Sequence, residues 1–411
     1  MKKGWEKQKL LDLSAVFADG DWIESKDQSN GGIRLIQTGN VGNGIFKDRV
    51  HKARYISEST FKRLGCTEIF EGDCLISRLP DPVGRACILP DTGEKMITAV
   101  DCTIVRFDKS KVTPKFFNYY SQSSQYQKDV DRDTRGTTRN RISRSKLGEI
   151  EIPVPPPPEQ KRIVGILDEA FEGIAIAKAN AEKNLQNSRA IFESHLQSVF
   201  SHRGEGWVEG TVGEFCDVKH GFAFDGADFS TDVPDRYPIV ITPGNFTEDG
   251  KLLFNEKNTK RFRGIAPVGF LFDVEDLVVV MTDLSSKMKI LGKPAFIEGK
   301  NVVHNQRIGR VLFLNDRLAK RFLYYYMMSE GFLKNIKNSA TGTMVKHTAP
   351  KRILSNVLSY PKDRRTQFAV IEKLDSLRAE TQRLKSTYQQ KLDELDALKK
   401  SLLHQAFSGN L

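Results

Sequence analysis

The stretch Glu193-Ser-His-Leu-Gln-Ser-Val-Phe-Ser201 returns 207 residues later as Lys400-Ser-Leu-Leu-His-Gln-Ala-Phe-Ser408. Working outward from it, other matches keep the same order. Gln160 and Leu167-Asp168 recur as Gln367 and Leu374-Asp375. Gly136-Thr137 recurs as Gly342-Thr343, and Phe117-Asn-Tyr-Tyr120 as Phe322-Leu-Tyr-Tyr325. Phe70-Glu-Gly-Asp73 returns loosely around Phe272 to Asp276, Gly39-Asn40 as Gly244-Asn245, and Trp5 as Trp207. The offset drifts by only five residues, from 202 to 207. Chance matches do not hold order and spacing in this way, so the chain reads as an internal duplication.

Within each half the order is the same. Short runs rich in Val, Ile and Phe at 73–78, 98–107, 276–282 and 309–314, bounded by Gly, Pro or Asp, read as strands. A helical piece follows each set, near 114–130 and 317–336. From 159 to 200 and from 365 to 407 there is no proline and glycine is nearly absent. Prolines stand ahead of both stretches, Val154-Pro-Pro-Pro-Pro158 and Pro361, the expected punctuation before a helix. In the second, Ile371, Leu374, Leu377, Thr381, Leu384, Tyr388, Leu392, Leu395, Leu398 and Leu402 step by three and four, a seam of coiled-coil type. The first carries Ile163, Leu167, Ala170, Ile174, Ala177, Ala181, Leu185, Phe192, Leu196 and Val199, a version built from smaller residues. Helices of about 40 residues run roughly 60 Å, longer than a small domain is wide, so the seams are expected to pack on each other. The fold class expected is α+β. Two globular mixed α/β domains are separated by two long antiparallel coiled-coil helices in a pseudo-two-fold repeat. The boundaries expected are 1–157 and 203–362 for the globular domains, 158–202 for the central helix and 363–411 for the C-terminal one.

Composition narrows the class. At 411 residues and 39% hydrophobic, the chain can bury two or three ordinary cores. No apolar run reaches membrane-spanning length, and Met1-Lys-Lys-Gly-Trp-Glu-Lys7 leads into no signal-peptide core, so a cytoplasmic location is the expectation. Cys66, Cys74, Cys87, Cys102 and Cys216 are odd in number with no CxxC pair, which argues against a disulfide framework or a zinc site. No metal or cofactor is expected. A net charge of +11 and a pI near 9.2 suit a polyanionic partner, nucleic acid first.

At this point the chain resembles a known family, the specificity subunit of type I restriction–modification systems. The resemblance is carried by Trp5-Glu-Lys-Gln-Lys-Leu-Leu-Asp-Leu13, by Gly39-Asn40-Val41 after Ile36-Gln-Thr38, and by Gly72-Asp73-Cys-Leu-Ile-Ser77-Arg78. Ile152-Pro-Val-Pro-Pro-Pro-Pro-Glu159-Gln160-Lys-Arg-Ile163 and Leu402-Leu-His-Gln-Ala-Phe-Ser-Gly409 complete it. The proline run with Glu-Gln-Lys-Arg-Ile is the most specific of these. The second copy departs there, with Pro361-Lys-Asp-Arg-Arg-Thr-Gln367, and has Ile241-Thr-Pro243-Gly-Asn245 for the first copy's Gln-Thr-Gly-Asn. The resemblance implies that each globular domain is a target recognition domain reading one half of a split, asymmetric double-stranded DNA site, with the helices as a ruler between half-sites. It implies two methyltransferase (modification) subunits as partners, and motor–nuclease (restriction) subunits joining that core. Methylation and cleavage would then belong to the partners, and this chain would be a non-catalytic subunit.

The residues themselves nominate contacts. Arg132-Asp-Thr-Arg135-Gly-Thr137-Thr138-Arg139-Asn-Arg141-Ile-Ser-Arg144-Ser-Lys146 carries six basic residues and one acidic. Its counterpart carries Lys334, Lys337, Lys346, Lys351 and Arg352 around Thr341-Gly-Thr343, with no acidic residue. Glycine with threonine and arginine suits a loop whose backbone approaches phosphate while side chains donate hydrogen bonds, and arginine also reads guanine edges. Ser77-Arg78-Leu-Pro-Asp-Pro-Val-Gly-Arg85 and Thr282-Asp-Leu-Ser285-Ser-Lys287-Met-Lys289 form a second candidate pair. The candidate DNA contacts are therefore Arg78, Arg85, Arg135, Thr137, Thr138, Arg139, Arg141, Ser285, Lys287, Lys289, Thr341, Thr343 and Lys346. Asn40 and Asn245 read as turn residues, and Tyr119, Tyr120, Tyr324, Tyr325 and Tyr326 as core.

Two rival readings stand beside this. Asp283 with Glu298-Gly-Lys300 imitates a metal-dependent nuclease, but the first half offers no equivalent Glu-x-Lys. A two-headed adaptor that binds protein is the other, and the basic balance argues against it. No phosphate-cradling Gly-x-x-x-x-Gly-Lys-Ser/Thr loop and no Asn-Pro-Pro-aromatic motif is present, so neither nucleotide hydrolysis nor methyl transfer is expected of the chain alone.

Overall fold

Alternation along single strands lays out each core. In Cys74–Ser77, Cys74 and Ile76 pack among Phe116, Phe117 and Tyr126, while Leu75 points the other way with Cys87 and Ile104. In Leu277–Val280, Leu277 and Val279 join Phe322 and Tyr325, and Val278 and Val280 join Ile241 and Phe272. A strand buried on both faces reads as an unbroken apolar run, and its period of two divides it between two layers. The computed structural model describes residues 4–136, 140–201, 204–231 and 234–411. It divides into one unit of residues 1–182 with 389–411 and a second of residues 183–388.

The first unit holds an antiparallel sheet in the order Ser14–Asp19, Cys102–Phe107, Cys74–Ser77, Ala86–Ile88. A second sheet runs Gln28–Ser29, Arg54–Ile56, Ile33–Ile36, Met96–Thr98, its last pair parallel. A ribbon of Glu6–Lys9 with Glu151–Val154 closes the domain. The second unit repeats the plan. Its sheets run Cys216–His220, Ile308–Phe313, Leu277–Val280, Pro294–Phe296, and Phe229–Ser230, Lys260–Phe262, Ile239–Val240, Val302–Val303. Its ribbon is Trp207–Thr211 with Val357–Pro361.

The expected run at 98–107 divides. Met96–Thr98 belongs to one sheet and Cys102–Phe107 to the other, because the chain turns at Val100 and Asp101. The expected helices near 114–130 and 317–336 are each two helices, Pro114–Tyr120 with Ser124–Asp133, and Lys320–Met328 with Glu330–Asn338. The break has a local cause. The hydroxyls of Ser123 and Ser329 accept from the amides of Tyr126 and Phe332, so each serine restarts a helix as its N-cap. All five cysteines are buried free thiols, and burial pushes the thiol of Cys87 up to about 12. Asn40 and Asn245 close turns through the amides of Gln37 and Thr242, as read from the sequence.

Two helices of 45 residues, Pro157–Ser201 and Arg364–Ser408, complete the units. Within the first unit, Ile163 and Leu167 pack with Leu403 and Ala406, and Phe407 meets Phe116 edge-on at 5.4 Å. Arg162 donates to the Leu411 carbonyl, Lys399 lies over the Phe171 ring, and Lys178 pairs with Asp396 at 2.7 Å. Rising numbers on one helix meet falling numbers on the other, so the pair is antiparallel here. In the second unit, Phe192, Leu196, Val199 and Phe200 share a core with Val370, Ile371 and Leu374. The seam departs from its regular spacing at its end. Leu398 is exposed, and Leu403 and Ala406 are buried in its place, because this last stretch packs on Phe116 and Tyr120 rather than on a helix alone.

One device joins helix to sheet in both units. Gln160 is fully buried. Its Oε1 accepts the Thr113 amide at 2.9 Å, and its Nε2 donates to the carbonyls of Lys111 and Pro155. Gln367 does the same with the Ala319 amide and the carbonyls of Arg317 and Pro361. Two turns on, Asp168 accepts the Tyr119 hydroxyl and pairs with Lys115, while Asp375 accepts the Tyr325 hydroxyl and pairs with Arg321. Removing such a buried partner strands groups that each cost about 1–3 kcal/mol. Gln160→Leu is expected to destabilise the first unit, and Gln367→Leu the second, by about 3 kcal/mol in urea unfolding. A loss below about 1 kcal/mol would show the clamp to be idle.

His304 offers a second check in the second unit. It is buried against Phe272 at 4.6 Å, and its Nε2 donates to the Ile308 carbonyl. Burial first, then the nearby Arg310 and Lys219, pulls its pKa down to about 4. The unfolded imidazole titrates near ~6.5, so the folded form binds fewer protons between these values. Stability is therefore full above pH ~6.5 and falls as pH drops toward 4, by about 2 kcal/mol at pH 4.5. Thermal melts from pH 7 to 4.5 should show this slope, and His304→Gln should flatten it.

Candidate nucleic-acid interface

The basic loops named from the sequence are closed by the same short hairpin in both units. In the first, Arg135 and Arg141 exchange backbone hydrogen bonds of 3.0 and 2.8 Å. In the second, Thr341 and His347 exchange bonds of 3.0 and 2.9 Å, each residue 206 positions on from its counterpart. Both hairpins start just past a helix of the pair described above, and both are tied to the central sheet. The Ile142 amide donates to the Arg78 carbonyl, and the Thr348 amide to the Met281 carbonyl.

In the first unit this geometry gathers Arg78, Asp133, Arg135, Arg141, Ser143 and Lys146 around one open concavity of about 430 Å³. Arg135 and Lys146 are exposed, and Arg141 is half exposed with a 3.2 Å ion pair to Asp101. Arg135 braces its own turn by donating to the carbonyls of Arg132 and Thr134. Arg78 forms the floor. Its guanidinium is buried, donates to the Val100 carbonyl and pairs with Asp19. Thr137, Thr138 and Arg139 lie outside the described residues.

Arg85 has a different setting. It is buried and donates to four carbonyls, those of Val41, Leu79, Pro82 and Thr38. With its donors so used, Arg85 is an internal brace of the 78–85 loop rather than an exposed donor, which corrects the expectation from sequence. Burial lowers its pKa, as it does for Arg78.

In the second unit the structure brings the two candidate segments together. Thr282–Asp283 pairs with Lys346–His347 as a two-stranded ribbon. Ser285, Lys287 and Lys289 follow the first strand and are exposed, and Lys289 pairs with Glu248 at 2.8 Å. Thr341 and Thr343 are exposed on the hairpin, and the Lys346 ammonium donates to the Gly342 carbonyl. Asp283, nominated with Glu298 and Lys300 for the nuclease reading, is buried. Its two oxygens accept the amides of Ser285 and Ile290, which makes it the clamp of this turn. Glu298 and Lys300 stand exposed beyond Pro294–Phe296. The tyrosines sit in the core: Tyr120, Tyr324 and Tyr325 are buried, and Tyr119 is bound to Asp168.

This arrangement can be compared with known proteins. Residues 2–187 match the type I restriction modification DNA specificity domain. The chain is 23% identical over 341 residues to the MjaVIII type I specificity subunit of Methanocaldococcus jannaschii, covering 78% of this chain and 75% of that protein. It is also 23% identical over 228 residues to the EcoBI specificity subunit of Escherichia coli. In sequence the chain is thus similar to specificity subunits of type I restriction–modification systems. The match to the Escherichia coli protein covers 54% of this chain and 43% of that one. In fold it is similar to a chain from a study of complex assembly and conformational transition of the type I restriction–modification system, with a TM-score of 0.79 at 15% identity. That alignment covers 100% of this chain and 99% of the other. The HsdS subunit from Thermoanaerobacter tengcongensis aligns over 100% of this chain and 98% of its own, with a TM-score of 0.58 at 16% identity. Among the described residues, no helix is long and apolar enough to cross a membrane.

Proposed function

We propose that this chain is the non-catalytic, DNA-reading subunit of a type I restriction–modification complex. It reads a split, asymmetric duplex site, with residues 1–157 and 203–362 each taking one half. Residues 158–202 and 363–411 supply the helices that hold the readers and present a surface to two modification subunits, which restriction subunits then join. The observation that carries the reading is the repeated basic hairpin, set on the same sheet position in both units but filled with different side chains. A shared frame with different loop chemistry suits two different half-sites. Arg135, Arg141 and Lys146 are the contacts proposed for one half. Ser285, Lys287, Lys289, Thr341, Thr343 and Lys346 are those proposed for the other, with Thr137, Thr138 and Arg139 completing the first loop. The basic surplus supplies the phosphate attraction that positions such loops, while base edges give the sequence.

The chain assembled with its modification subunits is expected to bind duplex with an affinity that falls steeply as salt rises. Arg135→Ala should weaken binding by about tenfold, as loss of one good arginine contact does, through the first half-site only. Lys287→Ala with Lys346→Ala should act through the second. Fluorescence anisotropy with duplexes scrambled in one half-site at a time reads this. Salt-insensitive binding, or equal losses on every duplex for Arg135→Ala, would contradict the reading.

A further inference from the structure

A wide cleft of the second unit has cationic walls. It encloses about 1150 Å³ and is lined by Arg189 of the first long helix, Lys289 and Lys293 beside the central sheet, Lys334 and Lys337 of Glu330–Asn338, and Arg378 and Lys385 of the second long helix. Four carboxylates also reach it, those of Glu193, Glu248, Asp249 and Glu330, which leaves three positive charges in excess. Lys289 is paired with Glu248, and Arg378 donates to the Tyr324 hydroxyl and the Asp249 carbonyl. Among the described residues the other five cations have no ion pair within 4 Å and donate no side-chain hydrogen bond.

Comparison of the two copies makes this cleft unusual. Gly84-Arg85 and Gly292-Lys293 occupy the same place. Both glycines have φ near +80°, a β-carbon on either would press on Val130 or Ile336 of the neighbouring helix, and the carbonyls of both cations accept from the last amide of the preceding strand, Ser77 or Val280. In the first copy the cation is saturated by four carbonyls. In the second, the lysine has no such partner. One residue beyond Val130 stands Asp131, and one beyond Ile336 stands Lys337, so the sign of this helix position differs between the copies, and in the second it places a like charge near Lys293. Burial, then the repulsion of Lys337, lowers the Lys293 ammonium to about 8, a value an anion placed between the two amines would raise.

We propose that this cleft is a phosphate-binding site, in which Lys293 and Lys337 hold a phosphate group and Arg189, Lys334 and Lys385 surround it. Lys289 lies on its rim and Glu330–Asn338 leads into the Thr341 hairpin, so a duplex read by that hairpin brings its own phosphodiesters to the same region. The inference rests on the DNA-binding reading for that source. A free phosphate compound has the same chemistry and is the second source.

The test uses the full chain with its modification subunits. Lys293→Met and Lys337→Met keep length and remove charge, and Lys385→Met supplies a variant on the second long helix. Melting temperatures within a few degrees of the parent establish that each variant is folded. Binding is measured by anisotropy on cognate and scrambled duplexes across salt, and melting is followed with and without millimolar pyrophosphate. If the phosphate is that of DNA, each variant weakens both duplexes by the same factor, about five- to tenfold, and reduces the slope of log affinity against log salt by about 1. If it is free, pyrophosphate raises the parent's melting temperature but not the variants', and the salt slopes do not change. Parent and variants alike in both arms, or a loss confined to the cognate duplex, would overturn the site. A parent that binds no duplex would instead overturn the DNA-binding reading, and the pyrophosphate arm would still decide the cleft.

Discussion

Each unit depends on one buried glutamine. Gln160 and Gln367 stand in the first turn of the two long helices and satisfy three backbone groups apiece. Those groups belong to the segment that enters the helix pair and to the strand that ends at the helix. A single amide, with one acceptor and two donors, thereby fixes three chain segments in one geometry. The aspartate two turns along adds an outer tie to a tyrosine hydroxyl and a cation. Burial and the adjacent carboxylate push the hydroxyl pKa of Tyr119 and Tyr325 upward, so both remain donors. Because the clamp is polar and buried, it has few substitutes, whereas apolar seam positions tolerate exchange of one hydrophobe for another.

Against that common frame the two copies part company in charge. The hairpin of the first presents arginines, and that of the second threonines and lysines. Arg85 is consumed within its own loop, while Lys293 at the same place is left facing a cleft. Asp131 and Lys337 reverse sign at one helix position. Such differences leave the sheets unchanged because the residues concerned lie at strand ends and helix faces, where packing constrains them least.

The duplication, the long helices and the hairpin loops were legible because they rest on order, spacing and proline punctuation, all one-dimensional properties. The seam was legible as far as Leu395 and misread at Leu398, since a periodic pattern assumes a straight helical partner and the last turns pack on a sheet domain instead. Ser123 and Ser329 divided helices that looked continuous, a capping effect that apolar periodicity does not register. Arg78 and Arg85 looked alike in sequence as basic residues in a turn. Their burial depends on carbonyls contributed from 38–41 and 100, far away along the chain. The cationic cleft joins residues between 189 and 385, and no local motif marks it.

The central claim is that one repeated frame carries two separately specified readers. Mapping methylated adenines across a genome that carries this chain and the modification subunits proposed for it tests it most directly. The account predicts a bipartite motif, two unlike half-sites separated by a constant number of unread base pairs. A contiguous motif, a palindrome or a gap of variable length would contradict it.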